Sequence, residues 1–283
     1  MGDQIASSPY PVLDRKSAAK YGPWAVITGA SDGTGESYAR QLASLGINIM
    51  LIARRGPLLN AVAKDLEQAY RVKTRVLVQD LMAPNAADEI LKASSDLDVG
   101  LYVSNAGADG VGASFLDHPP ARWRGMIRMN VDTVMELTHG FATKMIARGT
   151  GGILLMSSGS ALGGLPWLTI YAATKSFELL FAEGLWAELR EIKADIDILA
   201  VLAPLMDTPC YRRNIAGTHF DVAQEAWHPD DIVRTALSSL PHGPVLMFTT
   251  NPGPNGMEAE ERERRERVLA VAAVGKSFFK LEA

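Results

Sequence analysis

Seven short apolar runs, each but the last followed by a stretch of helical length, constrain this chain more than any other feature of it. The runs are Trp24–Thr28, Asn48–Ile52, Thr74–Val78, Val99–Val103, Gly152–Met156, Asp197–Val201 and Val245–Phe248. They are continuous rather than alternating, which is the pattern of strands covered on both faces. Helices are expected near 35–45, 57–70, 85–94, 121–147, 169–192 and 229–239. Strands and helices taken in turn predict an α/β fold, a doubly wound parallel sheet of about seven strands with helices on both faces. With 283 residues, one large domain suffices. It is expected over 22–250, with an N-terminal arm at 1–21 and a partly helical tail at 251–283. The stretch 204–227 lacks periodicity and carries Tyr211, Phe220 and Trp227. Loops of that length are usually functional.

Composition mainly excludes. The 28 basic and 32 acidic residues leave a formal charge of −4, without the basic field of a nucleic-acid binder. At 47% hydrophobic, the chain is not disordered. No apolar run approaches the roughly 18 residues that cross a bilayer. The first twenty residues lack the apolar centre of a secretory signal. The lone Cys210 cannot form an intramolecular disulfide, which fits a reducing, cytoplasmic setting. The five His are scattered, so no metal is expected. No Gly-x-Ser-x-Gly elbow surrounds Ser157 or Ser158, which argues against a hydrolase. The run at 261–267 mixes both charge signs and reads as a solvated helix face.

The first strand runs directly into Thr28-Gly29-Ala30-Ser31-Asp32-Gly33-Thr34-Gly35 and a helix. Glycine lets backbone approach a ligand, and a helix N-terminus offers unpaired N–H groups to a pyrophosphate. The position, after a first strand and before a helix, favours a dinucleotide loop over an ordinary turn. Glu36 stands where a phosphate-hydrolysing loop would carry Lys.

Thr-Gly-x-x-x-Gly-x-Gly at 28–35 resembles the cofactor loop of the short-chain dehydrogenase/reductase family. Other landmarks of that family follow in order. They are Asp80-Leu81 after the third strand, Ser104-Asn105-Ala106-Gly107 after the fourth, and Asn130 in the fourth helix. Ser158, Tyr171 and Lys175 match the family's active-site trio, 13 and four residues apart. The resemblance covers about 22–250 and implies a Rossmann-type fold with a nicotinamide cofactor. It implies cofactor contacts from Thr28, Gly29, Ser31, Asp32, Gly33, Thr34 and Gly35. Further contacts are implied for Asp80 near the adenine, for Leu81, Asn105, Ala106 and Gly107, and for Tyr171 and Lys175. It also implies that Lys175 bonds the nicotinamide ribose and that Asn130 helps hold a proton-relaying water. After strand six the family has Pro-Gly and then Thr. Here Pro204 and Thr208, both expected at the cofactor, flank Leu205 in the place of Gly.

Strand two ends in Ala53-Arg54-Arg55. An NAD site usually carries a carboxylate there, bonding the ribose 2′-hydroxyl. Ala53 removes it, and two guanidinium groups follow, each able to pair a phosphate in a fork. NADP(H) is therefore expected over NAD(H), which stays possible.

Tyr171 and Lys175, four apart inside a helix, share one face. A free phenol holds its proton up to about pH 10, and a nearby ammonium stabilises the phenolate. Tyr171 can then protonate a carbonyl oxygen, or act as base in the reverse direction. Ser158, beyond strand five, can donate to the same oxygen as charge develops.

Within the family, Ser-Asp-Gly-Thr-Gly, Ser-Tyr-Ala-Arg-Gln-Leu and Ser-Ser-Gly-Ser before Leu165-Pro166 resemble the branch of 17β-hydroxysteroid dehydrogenases and 3-oxoacyl-CoA reductases. The residues expected to face a substrate are apolar: Leu162, Leu165, Trp167, Leu168, Leu205, Met206, Tyr211 and Phe220. A bulky hydrophobic ketone or secondary alcohol (steroid-like, aromatic or long-chain acyl) is the expected substrate. Relatives pair through their long fourth and fifth helices, which implies a homodimer or homotetramer. Two other readings stay open. One is a cofactor-binding regulatory protein without turnover. The other is a sugar-nucleotide epimerase or dehydratase, which usually carries a larger C-terminal substrate domain.

Overall fold

Strands β1 (Trp24–Thr28), β2 (Asn48–Ala53), β3 (Thr74–Val78), β4 (Val99–Ser104), β5 (Gly151–Ser158), β6 (Ile196–Ala203) and β7 (Val245–Met247) form one sheet. Their order is β3-β2-β1-β4-β5-β6-β7, and every pairing is parallel. The computed structural model describes residues 9–107, 112–215, 226–248, 262–266 and 269. The expected Rossmann-type, doubly wound sheet is the observed one. Its order reverses between β1 and β4, which opens a crevice at the carboxyl ends of those strands.

The inner strands are buried on both sides because their residues alternate between two apolar layers, while the edge strand β3 is half-buried and ends in exposed Val78. Ile27, Leu51 and Val103 face α2 (Gly33–Ser44), α3 (Gly56–Tyr70) and α9 (Pro229–Ser239), in a layer that includes Tyr38, Leu42, Leu59 and Ile232. Val26, Ile52 and Tyr102 face α4 (Ala86–Ala93), α6 (Thr133–Arg148) and α7 (Thr169–Glu191), with Ile90, Phe141, Leu179 and Trp186. Continuous apolar runs are what such a sheet requires.

Two segments differ in detail from the expectation. The fourth helix is not one helix. It is α5 (Pro120–Ile127) and α6 joined by a π-helical turn, Arg128–Asp132, that contains Asn130. Such turns widen a helix locally and recur at functional sites. The aperiodic stretch after β6 contains a seven-residue helix, α8 (Pro209–Ile215). It was invisible to periodicity because seven residues are too few to show a face. Its base is tied back by a bridge of Met206 to Trp227. Phe220 lies outside the described residues.

At the N-terminus, residues from Leu13 onward pack into the body. A four-residue helix, α1 (Arg15–Ala18), is followed by a 3-10 turn ending at Tyr21. Leu13, Ala18 and Tyr21 are buried, and the Tyr21 hydroxyl donates to Asp197 at 2.6 Å. In the tail, residues 262–266 are helical. Arg264 there pairs with Glu183 of α7, and Arg265 donates to the Gly243 carbonyl at 2.9 Å. Among the described residues no helix is long and apolar enough to cross a membrane.

Candidate active site

A cavity of about 630 Å³ opens at the reversal point of the sheet. The glycine loop lines it on one side and the first two turns of α7 on another, with Gly29, Thr34, Asn105, Tyr171 and Lys175 all on it.

The loop is held by β4. Thr28 is buried, and its Oγ1 accepts from the backbone N–H groups of Asn105 and Ala106, at 3.1 and 3.2 Å. The Asn105 amide donates to the carbonyls of Thr28 and Gly29, at 3.0 and 3.3 Å. Gly35 packs against this pin. A Cβ there would stand 2.1 Å from the Gly29 oxygen and 2.7 Å from the Asn105 amide nitrogen. Gly29 and Gly33 have φ of +68° and +58°, a region open to Gly and costly for other residues. Asp32 is the N-cap of α2, yet its side chain caps nothing. It is drawn away to Arg55 at 2.7 Å, so the N–H groups of the first turn stay open to an anion. These features fit a nicotinamide dinucleotide: glycines let the backbone approach a ligand, and the helix N-terminus, lined by Ser31 and Thr34, carries no side-chain cap.

At the second turn, Ala53, Arg54 and Arg55 all line the cavity. Arg54 is exposed. Arg55 is engaged on Ser31 Oγ at 2.7 Å as well as on Asp32. Asp80, exposed, and Leu81, buried, line the adjoining wall. The Asp80 carboxylate accepts from Met82 N–H at 3.1 Å, and the Leu81 carbonyl accepts from Thr133 at 2.9 Å.

On α7 the ammonium of Lys175 lies 5.8 Å from the centroid of the Tyr171 ring. Lys175 is only 2% exposed. Its Nζ donates to the Met156 carbonyl at 2.7 Å and to both oxygens of Glu178 at 2.8 and 3.0 Å. Burial pushes the Glu178 carboxyl up to about 7, while Lys175 pulls the other way. Asn130 is fully buried behind Gly107, with its amide donating to Thr174 Oγ1 at 3.0 Å. Thr174 donates in turn to the Tyr171 carbonyl at 2.8 Å.

The remaining expected residues divide. Met206 and Thr208 line the cavity, and Gly33 packs on Thr208. Tyr211 donates its backbone N–H to Thr208 Oγ1 at 3.1 Å. Ser158 stands just past the cavity lining, where Ser157 precedes it, and its Oγ accepts from Ser160 N–H at 3.2 Å. Pro204 is half-buried behind the wall, while Leu165 and Trp167 are 43% and 67% exposed beyond it. The Leu205 carbonyl accepts from Trp227 N–H at 2.9 Å, which holds the backbone at the position where the family has Gly. Three participants escaped sequence reasoning. Glu178 is paired to Lys175, and Ser157 Oγ donates to the Lys175 carbonyl at 2.8 Å. Arg213 of α8 reaches Asp32 at 3.4 Å. Only Glu178 left a signal, three residues after Lys175, and that spacing commonly marks a surface pair.

The model of the family described as short chain dehydrogenase matches residues 23–219. A very-long-chain 3-oxoacyl-CoA reductase-A of Danio rerio is 38% identical over 174 residues, 60% of this chain and 54% of that protein. The chain thus spans about half the length of that relative. A 7beta-hydroxysteroid dehydrogenase of Clostridium sardiniense is 29% identical over 261 residues, 92% of this chain and 97% of that one. Among solved structures, a short-chain dehydrogenase from Sphingobium yanoikuyae in complex with NADPH superposes with a TM-score of 0.75 at 26% identity. It covers 88% of this chain and 95% of its own. The family match begins at β1, takes in both walls of the cavity and runs past Thr208, so the chain belongs to the short-chain dehydrogenase family of oxidoreductases.

Proposed function

We propose that this protein transfers hydride between NADP(H) and a bulky hydrophobic ketone, or the matching secondary alcohol, with Tyr171 as the proton donor and acceptor. One observation carries the reading: Tyr171 and Lys175 share a cavity with the uncapped N-terminus of α2 and its glycine loop. When bound, the cofactor supplies or accepts the hydride. In reduction Tyr171 gives its hydroxyl proton to the carbonyl oxygen, and in oxidation it takes the alcohol proton back. The charge of Lys175 favours the phenolate left behind. Ser158 can serve the same oxygen, because a hydroxyl that accepts from Ser160 N–H still has its own hydrogen to donate. Asn130, behind Gly107, keeps α5 and α6 in register with α7 through Thr174.

NADP(H) is favoured by Arg54 and Arg55 at the cavity and by Ala53 in place of a carboxylate. The NADPH bound to the Sphingobium yanoikuyae relative supports this choice. A bulky apolar substrate is supported by Met206 on the wall, by exposed Leu162, Leu165 and Trp167 beyond it, and by the named activities of the relatives. Reduction of a ketone panel with NADPH and NADH, followed at the nicotinamide absorbance, tests both choices. Tyr171→Phe should lower kcat by about 10²-fold or more while leaving the melting temperature near that of wild type. Undiminished turnover in that variant overturns the assignment of the proton donor.

The same reading extends to assembly. Met135, Ile146 and Leu180 are 45%, 48% and 63% exposed on α6 and α7, and we infer that these helices pair with a second copy. Gel filtration with light scattering should report a dimer or tetramer, and Leu180→Glu should shift it towards monomer.

A further inference from the structure

The catalytic lysine of the reading above is fully occupied by the protein. An ammonium has three donors. Here they meet the Met156 carbonyl and the two oxygens of Glu178. Lys175 nevertheless lines the cavity. To serve a ligand there, it must release at least one of these partners.

Glu178 is the partner that cannot be left unchanged. It is 1% exposed, and a buried carboxylate without its cation is strongly disfavoured. Among the described residues no second cation is at hand. From β4, Tyr102 faces the carboxyl. Its phenol is held protonated by burial, with Glu178 adding to the effect and the Ser104 hydroxyl opposing it. Lys175 is the one charged group acting on Glu178 among the described residues. An alternative acceptor for the ammonium is in place on the other side. Among the described residues the buried Oδ1 atom of Asn130 has no hydrogen-bond partner. It lies 2.9 Å from the point where a Gly107 Cβ would stand, and Lys175 Nζ lies 2.8 Å from that same point.

We propose that Glu178 is a positioning residue. It holds the Lys175 ammonium below the cavity until a dinucleotide binds, then takes up a proton from solvent when the ammonium moves towards the ligand and Asn130. Cofactor binding is thereby linked to protonation of Glu178. The proton comes from the buffer acid, and the charge that Glu178 had balanced becomes available beside Tyr171. This rests on the assignment of Lys175 and Tyr171 above, and the variants below separate the two.

The test is calorimetric titration of the full chain with NADP+, and with NAD+ in parallel, near pH 7.5 in buffers of different ionisation enthalpy. Wild type should take up about one proton more per cofactor bound than Glu178→Gln. The difference cancels any protons exchanged by the cofactor's own phosphate. Tyr171→Phe should keep the uptake and lose turnover. Turnover retained in that variant would remove the Tyr171 reading without touching the uptake result. Equal uptake in wild type and Glu178→Gln overturns the proposal, because a merely structural Glu178 alters stability and not proton stoichiometry. Should Glu178→Gln fail to fold, infrared difference spectra of wild type decide. A protonated carboxyl band must grow when NADP+ is added, and its absence overturns the proposal.

Discussion

Arg55 holds two partners at once, the Asp32 carboxylate and Ser31 Oγ, each at 2.7 Å. A phosphate arriving beside it would compete with Asp32 for a guanidinium that has donors to share. Exposed Arg54 adds a second positive charge at the same rim. A carboxylate at position 53 would reverse this field. Ala53→Asp should repel a 2′-phosphate and accept from a ribose 2′-hydroxyl instead. We expect the ratio of kcat/KM for NADPH over NADH to fall by at least tenfold, about 1.4 kcal/mol. A ratio unchanged from wild type would show that the arginines do not read the phosphate. Residue chemistry of this kind was legible in the sequence, because it depends on which side chains end a strand. The environment of Glu178 was not. Its i,i+3 spacing from Lys175 is plain, but whether such a pair meets water or lies beneath a sheet depends on which face of α7 the sheet covers.

Elements act here through what they pin. β4 does not touch the glycine loop by its strand pairing alone. It reaches it through Asn105, whose amide ties down two carbonyls of the loop. Asn105→Ala leaves those carbonyls without a donor, and it should cost about 1–3 kcal/mol and weaken cofactor binding. Denaturant melts and a fluorescence titration with NADPH check both halves, and binding as tight as wild type would mean the loop holds itself. The long helices show the limits of pattern. Apolar periodicity placed the segment over 121–147, and it could not show the π-helical turn at Arg128–Asp132 that sets Asn130 against Thr174. A single turn with altered hydrogen bonding spans too few residues for a periodicity to register. Helix α8 was hidden for the same reason, since its seven residues are shorter than two apolar repeats.

For the whole molecule, Glu178 makes stability depend on pH in a definite direction. An unfolded glutamate gives up its proton near the usual 4.5, and the native one holds it to about 7. Between those values the native state binds more protons. The contribution of Glu178 is therefore complete below about 4.5 and is lost as pH rises through 7. Denaturant melts of wild type and Glu178→Gln should show the stability gap between them change across pH 5 to 8, with wild type losing ground as pH rises. A gap that stays constant would place the native carboxyl in its ordinary range. Residues at the two ends also join the body. Tyr21 bonds Asp197 at the start of β6, and Arg264 pairs with Glu183 on α7. The sequence by itself determined the alternation of strands and helices, the layered parallel sheet they form and the residue types at the strand ends that line its crevice, because apolar runs and turn chemistry are written in local pattern. Only the tertiary structure decided which charges face one another across that crevice. Lys175 and Glu178 are neighbours on α7, and packing decides that their pair is buried, whereas Arg55 meets Asp32 and Asn105 the glycine loop by contacts between residues far apart along the chain.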